Sequence, residues 1–223
     1  MLKDKKAVIF DLDGTMVDSM WVWADIDIKY LGDLGYEVPP EMKRIIEGMS
    51  FTEVAVYFKE KYHIKESIEE IKQIWQDMAM YRYCHEVELK PGLKEFLLYL
   101  KEQGILMGVA SSNDRGLIEA VLKSHEIDGF LQCIITSCDV KKGKPEPDVY
   151  LEAARQLGVS PENCLVFEDI VSGIQAGLNA GMKVCAVRDE DSMAQDEEKR
   201  QLADYYIESY VQVIDGTYES LRK

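Results

Sequence analysis

Lys6-Ala-Val-Ile-Phe10, followed at once by Asp11-Leu-Asp-Gly-Thr15, is the stretch on which the fold turns. Four apolar residues in an unbroken run predict a strand buried on both faces, the pattern of a parallel sheet and not of a half-solvated antiparallel one. The run stops at two acids and a glycine, so the chain leaves the strand through a polar turn. The same alternation recurs downstream. After Lys90-Pro91-Gly92 the spacing predicts a helix over 93–103 and a strand over 105–110, then a helix over 115–124 and a strand over 133–136. A helix over 147–157, a strand over 164–167, a helix over 172–180, a strand over 183–187 and a short strand near 205–207 complete the series. Strands alternating with helices of these lengths predict an α/β fold, a Rossmann-like doubly wound parallel sheet with helices on both faces.

The pattern changes between residues 18 and 83. Here the segments are helix-period and rich in Met, Trp, Tyr, Lys and Glu, broken at Gly35, Pro39-Pro40, Gly48 and His63. They predict a helical insert, so that residues 1–17 and 88–223 form the α/β core domain and residues 18–87 a helical domain. Asp18-Ser19 reads as the cap of the first inserted helix, and the stripe Trp21, Trp23, Met42, Met49 and Phe51 as interior of the insert. Gly48-Met49-Ser50 falls at a helix break where a specificity loop is expected.

With 223 residues and a formal charge of -15, the chain has no basic footprint for a nucleic acid backbone or an anionic membrane. Neither is expected as a partner. The five cysteines are odd in number and lack a paired C-x-x-C pattern, which predicts reduced thiols and a cytoplasmic setting. Lys3, Lys5 and Lys6 precede an apolar run that ends at Asp11, too short for a signal peptide. His63, His85 and His125 are isolated, which argues against zinc. Gly173 and Gly177 read as close-packing positions on a helix, and the acidic stretch 189–198 as a solvated loop or helix start.

Ligands of doubly wound sheets sit beyond the carboxyl ends of the strands. The residues found there are Asp11 and Asp13, then Ser111, Ser112 and Asn113, then Lys144 in Lys142-Gly-Lys-Pro-Glu-Pro147, then Glu168 and Asp169. Carboxylates of this kind are hard oxygen ligands suited to Mg²⁺ with water and phosphate oxygens. Ser111, at a strand end before a helix, can hold a phosphate oxygen. An Asp carboxylate attacks phosphorus once a cation and a lysine cancel the charge repulsion, and a second carboxyl can serve the leaving alkoxide and the incoming water. Asp11 and Asp13 are the natural pair.

Asp11-Leu-Asp-Gly-Thr15, Ser111, Lys144-Pro145 and Glu168-Asp169 resemble the four ordered motifs of the haloacid dehalogenase-type hydrolases, in the capped subgroup that includes β-phosphoglucomutase and phosphoglycolate phosphatase. The resemblance implies Asp11 as nucleophile and Asp13 as acid and base. It also implies Mg²⁺ held by the Asp11 carboxylate, the Asp13 carbonyl and Asp169, with Glu168 as a further ligand or as a group behind the ligands. Ser111, Ser112, Asn113 and Lys144 become the phosphate site, and the helical insert a mobile cap domain. The implied activity is hydrolysis of a small phosphorylated metabolite through an aspartyl-phosphate. A sugar-phosphate mutase is the first alternative, but the positions where such mutases carry a His and an Arg hold Trp23 and Phe51, and Glu47 adds negative charge. Asp13 disfavours carbon-halogen hydrolysis, and the intact motifs disfavour a non-enzymatic regulatory module.

Overall fold

The computed structural model describes residues 1–46 and 51–222, with the backbone alone at 43 and 44. The loop at Gly48-Met49-Ser50 and its neighbour Glu47 lie outside the described residues. In chain order the regular elements are β1 (Ala7–Phe10), β2 (Val17–Asp18), α1 (Met20–Asp33), α2 (Met42–Ile46), α3 (Phe51–Tyr62), α4 (Ile68–His85), β3 (Glu88–Leu89) and α5 (Leu93–Glu102). They continue with β4 (Leu106–Ser111), α6 (Arg115–Ser124), β5 (Cys133–Thr136), α7 (Asp148–Leu157), β6 (Cys164–Glu168) and α8 (Val171–Asn179). Then follow β7 (Lys183–Val187), α9 (Asp196–Leu202), β8 (Tyr205–Ile207), α10 (Val211–Asp215) and β9 (Glu219–Ser220). The chain divides into two compact units, Met1–Ser19 with Val87–Lys223, and Met20–Glu86.

In the larger unit, seven strands form one sheet in the order β5-β4-β1-β6-β7-β8-β9. All neighbours are parallel except β9, which pairs antiparallel with β8. The strand that opens the chain is therefore central: Ala7 is in register with Leu106 on one side and Cys164 on the other. All four of its residues have zero exposure, as the unbroken apolar run requires. Ala7 and Ile9 face one layer with Val166, Val184, Ala153 and Ile174. Phe10 faces the other, stacked on Phe167 at 5.4 Å and edge-on to Phe96 at 6.1 Å, while Phe96 stacks on Tyr210 at 5.3 Å. Gly177 is a packing position: a Cβ there would stand 2.8 Å from Val184 Cγ2 on β7.

The helical unit is built on α1, α3 and α4. Its breaks fall where the chain cannot continue helically, with α1 ending before Gly35 and α3 before His63, both at positive φ. Ser67 starts α4 with a reciprocal capping box to Glu70. Trp75, 2 % exposed, is the centre of the interior, with edge contacts to Tyr30, Phe51 and Phe58 at 5.2–5.7 Å. Met42 is buried, while Trp23 and Phe51 are half-buried and pack edge-on against each other at 5.6 Å. No helix of the described residues is long and apolar enough to cross a membrane.

The reading of 189–198 as a solvated loop or helix start holds for the helix start, since α9 begins at Asp196, and one strand of the large sheet was not foreseen. The stretch 189–198 is not simply solvated: Asp189 and Ser192 are buried, and Lys90 Nζ donates to Asp189 Oδ2 at 2.5 Å. The strand β9 carries no apolar pattern, being two exposed residues that pair with the edge of β8. The aromatic layer gives a stability test. Phe96→Ala should cost about 3–5 kcal/mol in urea unfolding, whereas Leu98→Ala, on the exposed face of the same helix, should stay within about 0.5 kcal/mol of wild type.

Candidate active site

The polar turn after β1 is shaped around one carbonyl and one glycine. Thr15, Met16 and Val17 all direct their N–H groups to Leu12 O, at 3.2, 2.8 and 3.1 Å. Gly14, at φ +77°, brings the chain back by donating to Val17 O at 2.9 Å. A Cβ at Gly14 would lie 2.3 Å from Asp169 Oδ2, so glycine is required twice, for backbone conformation and for space. The turn leaves Asp11 at the end of the central strand, 7 % exposed, with its N–H on Phe167 O of β6.

From the end of β6, Glu168 enters the same interior with zero exposure. Its Oε2 accepts the N–H groups of Asp169 and Ile170 at 2.8 and 3.1 Å, and its Oε1 accepts from Lys144 Nζ at 2.7 Å and Tyr150 Oη at 3.1 Å. Lys144 Nζ also donates to Asp11 Oδ1 at 2.5 Å, so one ammonium bridges two carboxylates from different strand ends. Gly173 makes room for Glu168, since a Cβ there would fall 1.6 Å from Oε1. Close packing at this glycine serves the carboxylate as well as the helix.

Asp169, 1 % exposed, accepts the Thr15 hydroxyl on Oδ1 at 2.8 Å. Its Oδ2 is buried with no hydrogen-bond partner among the described residues. Asp11, Glu168 and Asp169 each offer an oxygen within 4.8 Å of the others, a set that can hold a divalent cation. The electrostatics lead the same way. The three carboxylates share a site that water barely reaches, with the Lys144 ammonium paired to two of them, Asp11 and Glu168. Burial pushes the Asp11 carboxyl up to about 8, with Lys144 pulling it down and Glu168 and Asp13 pushing it up. Burial likewise pushes Asp169 well above the carboxylate range, reinforced by Glu168 and Asp11. Burial alone would discharge Lys144, but Asp11 and Glu168 outweigh it and hold the ammonium well above its usual range. A buried oxygen without a partner among the described residues, and two carboxyls whose ionisation burial disfavours, fit a divalent cation at these residues.

Asp13 stands apart from the cluster of three. Its Oδ1 accepts from Ser19 Oγ at 2.6 Å and its Oδ2 from Asn113 Nδ2 at 2.8 Å. Ser19, expected to cap a helix, thus serves Asp13, and Asn113, expected on phosphate, is brought to the same carboxylate. Ser111 closes β4 with 1 % exposure and its hydroxyl accepts the Asn113 N–H at 3.1 Å, while Ser112 beside it is exposed. Residue chemistry did not reveal Thr15, Ser19 or Tyr150 as site residues. For Thr15 and Ser19, closeness to the acidic pair in sequence was a signal that could have found them. Tyr150 sits in the apolar stripe of α7, where nothing local marks a hydroxyl aimed at a carboxylate.

Known proteins resemble this chain to differing extents. The haloacid dehalogenase-like hydrolase family matches residues 8–187. The bifunctional riboflavin kinase/FMN phosphatase of Arabidopsis thaliana is 35% identical over 188 residues, 83% of this chain and 49% of that protein, so the chain spans about half the length of that relative. Hexitol phosphatase B of Escherichia coli is 28% identical over 213 residues, 93% of each. Among solved structures, CbbY from Rhodobacter sphaeroides in complex with phosphate superposes with a TM-score of 0.80 at 21% identity, covering 94% of this chain and 96% of the other. At that identity the likeness concerns the fold alone. With a family match that runs from β1 to the end of β7, the chain belongs to the haloacid dehalogenase-like hydrolases.

Proposed function

We propose that the protein is a Mg²⁺-dependent phosphatase that hydrolyses a small phosphate monoester, a sugar phosphate or similar metabolite, through an aspartyl-phosphate on Asp11. The chain is a phosphoric monoester hydrolase, in line with the phosphatase names of its relatives. The observation that carries the finer reading is the buried array of Asp11, Glu168 and Asp169 around the single ammonium of Lys144, with Asp169 Oδ2 left unpartnered. Asp11, Asp169 and the Asp13 carbonyl would hold Mg²⁺. When bound, the ion supplies neutralisation of the phosphoryl oxygens.

The residues divide the work. Lys144 draws charge from Asp11 and from the incoming phosphate, which lets two anions approach. The Asp11 carboxylate forms the new O–P bond as the P–O bond to the leaving group breaks, and Asp13 gives that alkoxide its proton. In the second half Asp13 takes a proton from water, whose oxygen attacks phosphorus and releases inorganic phosphate and the Asp11 carboxylate. Asn113 and Ser19 orient Asp13 for both transfers. Glu168, with both oxygens already occupied, holds Lys144 in place and is not itself a ligand. Ser111 and Ser112 contribute to the phosphate site, and the helical unit acts as the cap that sets substrate choice.

Three measurements test this reading. Asp11→Asn should lower phosphatase turnover on the order of 10³-fold or more with the fold intact by circular dichroism; turnover near wild type would refute the nucleophile. In a chelator, the folded chain keeps protons on Asp11 up to about pH 8 that the unfolded chain releases near 3.8. The folded state is then the more protonated one across that window, so the melting temperature should fall from pH 5 to pH 8, and Mg²⁺ should remove most of the slope. A chelated protein whose stability rises with pH would contradict the site. Finally, β-glucose 1-phosphate with a trace of the 1,6-bisphosphate should give no rapid conversion to glucose 6-phosphate, while a screen of phosphate monoesters with Mg²⁺ should release inorganic phosphate. Trp23 and Phe51 pack on each other and carry no charge for a second phosphate. Fast isomerisation with little phosphate release would establish a mutase instead.

A further inference from the structure

Lys199 on α9 has zero exposure, and a buried ammonium is retained only where several groups compensate it. Its Nζ donates to Ser192 Oγ at 3.1 Å, lies 3.4 Å from Val187 O, and stands 3.6 Å from Asp196 Oδ1. A serine hydroxyl has one proton. Because Ser192 accepts from Lys199, that proton is directed onward, to Asp169 O at 2.8 Å in preference to Asp189 O at 3.4 Å. Asp169 is thereby gripped twice, on its carboxylate by Thr15 and on its peptide carbonyl by Ser192.

We propose that Lys199 is a positioning residue for the metal centre: through the Ser192 hydroxyl its ammonium fixes the peptide of Asp169, and with it the direction in which Oδ2 of Asp169 meets the cation. This rests on the reading of Asp169 as a ligand. Two effects of removing Lys199 oppose each other. Loss of a positive charge strengthens cation binding, whereas loss of the grip on Asp169 weakens it. The Asp196 carboxylate at 3.6 Å, itself shared with Arg200 at 2.8 Å, offsets part of the ammonium's field, and the expected net result is that the loss of positioning prevails. Groups behind a metal ligand change affinity by about 10–100-fold when removed.

The test uses Mn²⁺, whose free form is counted by electron paramagnetic resonance, so that binding is read without turnover. Lys199→Met and Ser192→Ala should each weaken Mn²⁺ binding about tenfold. The double variant should be no weaker than Lys199→Met, because the two residues act through one chain of hydrogen bonds. Unchanged or tighter binding in Lys199→Met, or losses that multiply in the double variant, would overturn the inference. Should Lys199→Met fail to fold, Ser192→Ala retains the buried ammonium and must by itself show the loss; wild-type affinity there is equally fatal. Asp169→Asn separates the two layers of the reading. If it leaves Mn²⁺ affinity intact, the metal site itself is wrong; if it abolishes binding while the Lys199 and Ser192 variants bind as wild type, only the role of Lys199 falls.

Discussion

Carboxylates as deeply buried as Asp11, Glu168 and Asp169 survive in a protein only if something returns the solvation they have lost. Here the return is uneven. Glu168 receives two peptide N–H groups, a phenol and the Lys144 ammonium, Asp11 shares that ammonium, and Asp169 receives one hydroxyl on its side chain. Among the described residues, each oxygen of the best-compensated acid accepts two hydrogen bonds, and one oxygen of the least compensated accepts none. Much of the larger unit follows from maintaining this difference. The parallel sheet is what allows β1 and β6 to end side by side, with Phe10 in register with Phe167, so that the acids beyond them converge.

Space around the acids is created by what is missing as much as by what is present. Gly14 and Gly173 come from different segments, yet in each case a Cβ would occupy the position of a site carboxylate, Asp169 Oδ2 at 2.3 Å and Glu168 Oε1 at 1.6 Å. The aromatic layer of Phe10, Phe96, Phe167 and Tyr210 braces the opposite side of the strands, and the Tyr210 hydroxyl reaches Thr15 O at 3.1 Å. Packing and site chemistry thus meet at Thr15. Its carbonyl is tied to the core and its hydroxyl to Asp169.

How much of this was legible from residues alone depended on the range of the interaction that decides it. The buried central strand showed itself because four consecutive apolar residues admit few other roles. The helical insert showed itself through a change of period and through Gly35, Pro39-Pro40 and His63, all local signals. Asp11, Lys144, Glu168 and Asp169 stood out as one set because they follow separate strands in order; an acid at a single strand end is often only a cap or a turn residue. What stayed hidden were partnerships across the fold: Glu168 saturated by Tyr150, Ser19 turned toward Asp13, and the burial of Asp189, Ser192 and Lys199 in a stretch whose composition looks solvated. Charge predicts exposure until a partner from elsewhere, such as Lys90 for Asp189, cancels it.

The position of β1 also bears on how the chain is made. It emerges from the ribosome before the other strands of its sheet, yet its two neighbours begin pairing only at Leu106 and Cys164. At bacterial or eukaryotic rates of synthesis it waits roughly 5–20 s for the first of them and longer for the second. During that interval Lys6-Ala-Val-Ile-Phe10 is an apolar segment with two open edges, the kind that associates with other nascent chains or with chaperones. Met20–Glu86, whose interior is drawn from its own residues, can collapse within the delay. Charged residues flank the run on both sides, Lys3 to Lys6 before it and Asp11 and Asp13 after it, as gatekeepers flank exposed apolar strands.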